Sequence, residues 1–293
     1  MPDWEAVAAK LAAATGEPFA LSRVRLVGGG CINDGAVLES GSRRYFVKHN
    51  ARSRLDMFSA EAEGLHALRA AHAVRAPAPI CWGTNEGSAF LVLEYLELSA
   101  PRASSQAKLG AQLARLHRLA QPQFGWHRDN TIGSTPQINA YTSGWPEFFR
   151  DRRLGFQLDL AGRNGYGRLA ARGERLLAGV GGLLRGHAPQ PSLLHGDLWL
   201  GNAAQTAAGE PVIFDPAVYY GDREADLAMT ALFGGFADSF YRAYLQEWPL
   251  PAGHEIRRTL YNLYHVLNHL NLFGRGYLGQ AEGMVEQLLA EMS

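Results

Sequence analysis

Leu193-Leu194-His195-Gly196-Asp197-Leu198-Trp199-Leu200-Gly201-Asn202, followed shortly by Val212-Ile213-Phe214-Asp215, is the stretch that decides how this chain is read. Four residues separate Asp197 from Asn202, and His195 stands two before the aspartate, which gives the spacing H-x-D-x-x-x-x-N. Pro211 to Phe214 reads as a short apolar strand that delivers Asp215 at its end. Phosphoryl transfer to a hydroxyl needs this trio. One carboxylate takes the proton, while an amide oxygen and a second carboxylate hold the magnesium that bridges the phosphates. Mg²⁺ asks for a few hard oxygen ligands and keeps some of its water, a demand that Asn202 and Asp215 can meet. Asp and Asn also cap backbone N–H groups in ordinary turns, so His-Gly-Asp by itself says little. With Asn202 and a strand-borne Asp215 it reads as a kinase.

The N-terminal part supplies what such a site requires. Gly28-Gly29-Gly30-Cys31-Ile32-Asn33 lies between two β-patterned runs, where residues without a Cβ let the backbone come close to phosphates. Lys48 follows on the strand Arg44 to Lys48, where a lysine that contacts the α- and β-phosphates belongs. A lone strand lysine is usually a solvated charge, so Lys48 needs a partner. Glu61, on a helix spanning Met57 to Ala71, is preferred over Glu63, which projects from another helical face. The run Phe90 to Leu96 then offers the backbone of Glu94 and Leu96 to adenine. The coarse pattern is a helix over Asp3 to Ala14, strands over Ser22 to Val27, Ala36 to Glu39, Arg44 to Lys48 and Ala89 to Leu96, and the helix between the last two. Thereafter helices dominate: Gln106 to Leu119, Pro146 to Asp159, Gly167 to Leu184, Ala225 to Gln246 and Ile256 to Phe273, with β-like runs only around His195 and Asp215. The expected fold is α+β and protein-kinase-like. A small β-rich lobe with one key helix (1–97, hinge at about 94–98) precedes a mainly helical lobe (98–293).

Composition removes other classes. The 293 residues carry 28 basic and 28 acidic side chains, so nothing draws the chain to nucleic acid or to an anionic membrane. No apolar run approaches the roughly 20 residues that span a bilayer. Two cysteines, Cys31 and Cys81, make no disulfide framework, and a reducing, cytoplasmic setting is expected.

Protein kinases place a long activation loop after Asp-Phe-Gly. Here Pro216-Ala217 follows Asp215, Asp222-Arg223-Glu224-Ala225-Asp226 arrives at once, and Gly196 stands where an arginine would read a loop phosphate. These features point to a small-molecule kinase that is always competent. Asp226, opening a helix, suits a structural role at the helix N-terminus and the catalytic-loop backbone.

Almost end to end the sequence resembles the fructosamine kinases (ketosamine-3-kinases), relatives of the aminoglycoside phosphotransferases. The resemblance is carried by Gly28-Gly29-Gly30-Cys31-Ile32-Asn33, Phe124-Gly125-Trp126, Asp129-Asn130-Thr131-Ile132-Gly133 and the Asp197 stretch. Tyr220-Gly221-Asp222-Arg223-Glu224-Ala225-Asp226 and Tyr264-His265-Val266-Leu267-Asn268-His269-Leu270-Asn271 extend it. It implies ATP- and Mg²⁺-dependent phosphorylation of the 3-hydroxyl of a sugar joined to an amine, after which the product sheds the sugar. Asp197 would then be the base, Asn202 and Asp215 the Mg²⁺ ligands, and Lys48 with Glu61 the phosphate grip beneath Gly28, Gly29 and Gly30. Trp199 and His269 are candidate sugar contacts, the first through an indole face, the second on a polar stripe of the last expected helix. Cys31, on the glycine-rich loop, is a candidate redox thiol, since some members of the family are thought to form a redox-controlled dimer. The chain is therefore expected as a monomer or a redox-dependent homodimer. Two other readings stand beside this one: a kinase for aminoglycosides, choline or free sugars, and a redox-sensing nucleotide-binding module without catalysis.

Overall fold

Asp3 starts the first helix by accepting a hydrogen bond from Ala6 N at 3.0 Å, and Gly16, at φ +72°, ends it. The helix is α1 (Trp4–Thr15), and its Val7 and Leu11 are buried. In this computed structural model, which describes residues 2–28 and 32–292, the chain divides into two compact units. The first is residues 1–105 with 203–216; the second is 106–202 with 217–293. Among the described residues no helix is long and apolar enough to cross a membrane.

In the first unit, β1 (Arg23–Val27), β2 (Asp34–Ser40) and β3 (Arg43–Asn50) lead into α2 (Leu55–Ala70), followed by β4 (Pro79–Thr84), β5 (Ala89–Glu94) and the short β6 (Leu98–Ser99). The first five strands form an antiparallel sheet in the order β1-β2-β3-β5-β4. Alternation along β3 sends Val47 into a core with Leu38, Phe90 and Val92, closed by Val7 and Leu11 of α1. Each such side chain contributes about 1.5–3 kcal/mol on burial. Lys48, one residue on, takes the other face, paired in register with Gly35 and Leu91. β4 is a strand that the sequence reading leaves out. Its first residue is Pro79 and it pairs on one side only, with β5, so the missing N–H costs no ladder bond.

After β6 come α3 (Ala103–His117), the hairpin β7 (Asn130–Ile132) and β8 (Thr135–Gln137), and α4 (Trp145–Phe148). A π-helical turn at Phe149–Gly155 joins α4 to α5 (Phe156–Arg163), and α6 (Gly167–Leu183) and β9 (Ser192–Leu194) follow. β10 (Ala203–Thr206) and β11 (Pro211–Ile213) belong to the first unit, where they join β6 in a three-stranded sheet and Ile213 N donates to Arg75 O. β12 (Tyr219–Gly221) pairs with β9. The chain closes with α7 (Arg223–Leu232), α8 (Asp238–Glu247), α9 (His254–Phe273) and α10 (Leu278–Ala290). The second unit's core gathers Trp145, Phe149, Leu158, Leu176, Leu260 and Leu267.

Three expectations change. The helix expected over 225–246 is two, because Gly234 and Gly235 take φ +82° and +71°, outside the helical range. The helix expected over 146–159 is interrupted by the π-helical turn. β7, β8, β10 and β12 add strands of only three or four residues, too short to show alternation.

Candidate active site

Within the first unit, Lys48 is the centre. Its Nζ lies within hydrogen-bonding distance of Glu61 Oε1 and 2.5 Å from Asp215 Oδ1. The Lys48 and Glu61 side chains are each 10% exposed, while that of Asp215 is 45% exposed. Burial works hardest against the Lys48 charge, yet Asp215 and then Glu61 outweigh it and hold the ammonium above the usual lysine range. Burial pushes the Glu61 carboxyl up; Lys48 opposes this, and the nearby Asp215 charge adds to it. One ammonium between two carboxylates leaves a local charge of −1, counted as +1 for Lys48 against −2 for Glu61 and Asp215. A cation would balance it. Asp215 sits at φ +59°, a backbone setting that costs about 1–3 kcal/mol in a non-glycine residue and gathers at functional sites. Glu61 is the glutamate that the fold brings to the lysine.

Glu94 ends β5. Its amide donates to Ala78 O at 2.8 Å, and its carboxylate accepts from Arg75 Nη2 at 2.7 Å and from Ala78 N at 3.1 Å. Leu96 lies just past the strand end and is half-buried. Gly28 is exposed, with open space where a Cβ would stand. Gly29, Gly30 and Cys31 lie outside the described residues.

Within the second unit, the strands β9 and β12 bracket the loop that bears Asp197. Gly196 adopts φ +84°, and a Cβ there would sit 2.0 Å from the carbonyl oxygen of Ala217. Only glycine can turn the chain this tightly. Asp226 fixes the turn from below: it accepts from His195 N at 2.7 Å and from Gly196 N at 2.8 Å, and its Oδ2 is 3.1 Å from His117 Nε2. Burial alone would raise the Asp226 carboxyl. The hydrogen bond and charge of His117, followed by the Gly196 amide, outweigh it and hold the group below the ordinary carboxylate range. Asn202 Nδ2 donates to Asp197 O at 2.9 Å and lies 3.3 Å from Asp197 Oδ2. With its nitrogen committed to Asp197, the Asn202 amide oxygen is the atom left for a cation.

Trp199 is 38% exposed and meets Phe233 edge to face at 6.3 Å between centroids. Its ring folds over Gly201, where a Cβ would stand 2.3 Å from the indole. His269 Nδ1 is 2.8 Å from His265 O, one helical turn back on α9, so Nδ1 carries the proton and Nε2 is the acceptor. Burial pushes the His269 pKa below its usual value and favours the neutral ring. Phe233 stands 4.5 Å from it and Tyr277 5.2 Å, an aromatic group that the sequence reading picked up only at Trp199 and His269.

Two supporting sets went unread. His117, fully buried in α3, links Asp226 to the Tyr244 hydroxyl at 2.8 Å. Asn130 Nδ2 donates to Val218 O at 2.8 Å and Gln137 Nε2 to Ala217 O at 3.0 Å, which pins the backbone facing Gly196. The only sequence signal for either is a buried-type helix or hairpin that carries polar residues among apolar ones. His187, Asp222 and Glu224 bring ligand atoms within 4.8 Å of one another. Tyr261 donates to Asp222 at 2.6 Å and Arg257 grips Glu224 at 2.7 and 2.9 Å, so this group is satisfied as it stands.

Known proteins bear directly on this arrangement. The family model described as fructosamine kinase matches residues 3–291. A Synechocystis protein named probable ketoamine kinase is 48% identical over 98% of this chain and 97% of its own length. The chloroplastic protein-ribulosamine 3-kinase of Arabidopsis thaliana is 42% identical over 94% of this chain and 85% of its own. A Haemophilus somnus crystal structure carrying the assignment fructosamine-3-kinase superposes with a TM-score of 0.90 at 30% identity, covering 98% of this chain and 97% of the other. The chain belongs to the fructosamine kinase family.

Proposed function

We propose that this protein is a ketosamine 3-kinase, which transfers a phosphoryl group from ATP to the 3-hydroxyl of a ketose joined to an amine and so sets the amine free of its sugar. The phosphoryl-transfer half rests on Lys48, buried yet charged between Glu61 and Asp215. The acceptor class is supported by the names of the relatives at 42–48% identity. Lys48, oriented by Glu61, binds the phosphates; Gly28, Gly29 and Gly30 let the backbone approach them; the Glu94 carbonyl and Leu96 amide take the adenine edge. Asp197 orients the 3-hydroxyl and accepts its proton. It is held for this by Asn202 from one side and, through the His195–Gly196 turn, by Asp226 from the other. The donor types fit Mg²⁺: in the second unit Asn202 offers an amide oxygen, and in the first Asp215 offers a carboxylate oxygen not bound to Lys48. Asn202 and Asp215 would hold the ion, which when bound would supply positive charge against the charge developing on the transferring phosphoryl group. The transition state is loose, so positioning and charge supply most of the rate. Trp199 offers the sugar an apolar face and His269 Nε2 an acceptor.

Aminoglycoside kinases need carboxylates for a polycation. Here Asp222, Glu224 and Asp226 are buried and engaged by Tyr261, Arg257 and the catalytic-loop amides, which weighs against that rival. ATP consumption against ribuloselysine, fructoselysine, kanamycin and choline tests the proposal. Turnover confined to the ketosamines supports it; turnover confined to kanamycin or choline replaces it with the rival acceptor class.

A further inference from the structure

The first unit carries a cavity of about 580 Å³ at the end of β5, away from Lys48, with Arg43, Arg44, Arg69, Arg75, Glu94 and Tyr95 in its wall. Four arginines and one carboxylate, Glu94, line it. Glu94 spans two of them, with Oε1 2.7 Å from Arg75 and Oε2 3.8 Å from Arg69. Arg43 and Arg44 lean outward onto Glu17 at 2.9 Å and Glu97 at 3.4 Å, partners that are 68% and 75% exposed. Pairs that wet contribute little and exchange readily for a better anion. Counting all of them, four arginines against Glu17, Glu94 and Glu97 leave +1, and only Glu94 of the three lines the cavity. Arg44 also stacks over the Tyr95 ring at 4.4 Å, a flat surface beside the charges.

We propose that this cavity is a binding site for a phosphate dianion, in which Arg69 and Arg75 take the phosphate oxygens that the Glu94 carboxylate now replaces. The guanidinium fork matches two phosphate oxygens at once, and a dianion brings Arg69 and Arg75 twice the charge of the one carboxylate that they now share. Neither inorganic phosphate nor a sugar phosphate monoester exceeds the volume, and the Tyr95 side gives the ester's sugar a surface. The site shares no side chain with the phosphate grip assigned to Lys48. Glu94 is common to both readings, through its backbone for adenine and through its carboxylate here, so a titration without ATP tests the cavity apart from the kinase reading.

Calorimetric titration of the full chain without ATP, using inorganic phosphate and ribose 5-phosphate in turn, tests it. Binding of either probe at millimolar or lower concentration is expected, and the tighter of the two names the source. Replacing both arginines (Arg69→Gln with Arg75→Gln) should weaken binding at least about tenfold, the loss of charge-assisted bonds. Glu94→Gln keeps an acceptor for Ala78 N but removes the competing charge. It should tighten binding about threefold or more, a gain that no folding defect can mimic. Lys48→Met should leave the affinity unchanged. No heat from either probe, tighter binding absent in Glu94→Gln, or affinity lost in Lys48→Met and kept in the arginine pair would each overturn the proposal.

Discussion

Asp197→Asn keeps the size of the side chain and removes only its capacity to take a proton. It is expected to lower kcat by about 10²–10⁴ while ATP affinity, measured by nucleotide titration, stays within twofold or so. A near-normal kcat would remove Asp197 from the role of base. Gly196→Ala is expected to act differently, since it strains a φ of +84° and drives a methyl into the Ala217 carbonyl. A loss of about 1–3 kcal/mol in denaturant unfolding is the expected cost, with kcat falling because the Asp197 turn must open. Glu61→Gln leaves Lys48 with Asp215 alone, and a several-fold rise in KM for ATP should result, with KM for the ketosamine little changed. At this scale most of the candidate site was legible, because Lys48, Asp197, Asn202 and Asp215 are chemical types at fixed chain spacings. His117 and the Asn130–Gln137 pair were not. Their partners lie about 80 to 127 residues away in the chain, and spacing along a sequence says nothing of such distances.

α9 concentrates buried polar residues, and one of them titrates. His265 is 4% exposed, and burial, helped by neighbouring His269 and opposed by Asp226, pushes its pKa down to about 3 from 6.5. The native state therefore refuses a proton that the unfolded chain accepts below about pH 6.5. The stabilisation is fully present above that pH and falls away as pH drops toward 3. Between pH 7 and pH 4.5 this one group should remove on the order of 2 kcal/mol. Urea midpoints for wild type and His265→Gln across that range check it: the acid limb should flatten in the variant, and parallel curves would show that His265 is not the titrating group. Elements were read from sequence where periodicity was long, as in α1, α2, α6 and α9. β4 hid behind Pro79, and the break between α7 and α8 hid in Gly234-Gly235, where a glycine pair can either sit inside a helix or stop one. α10 went unread although its Ala281, Val285 and Leu288 keep helical spacing, because three apolar positions near a chain end make a weak signal.

For the whole molecule, the β-rich first unit and helical second unit were foreseeable from the order of patterns along the chain. That β10 and β11 return to the first unit was not, since a seven-residue pair of strands gives no hint of the sheet it joins. Membership of the fructosamine kinase family accounts for the length of the match, residues 3–291, and for the motifs from Gly28 to Asn271. What distinguishes the proposed reaction from every rival kinase chemistry on this fold is the atom that receives the phosphoryl group. The most direct measurement is therefore phosphorus–proton correlation NMR of the product formed from ATP and ribuloselysine. A phosphate coupled to the proton on sugar carbon 3, followed by release of free lysine, is the expected result. Phosphate on any other hydroxyl, or ATP hydrolysis with the ketosamine unchanged, would contradict it.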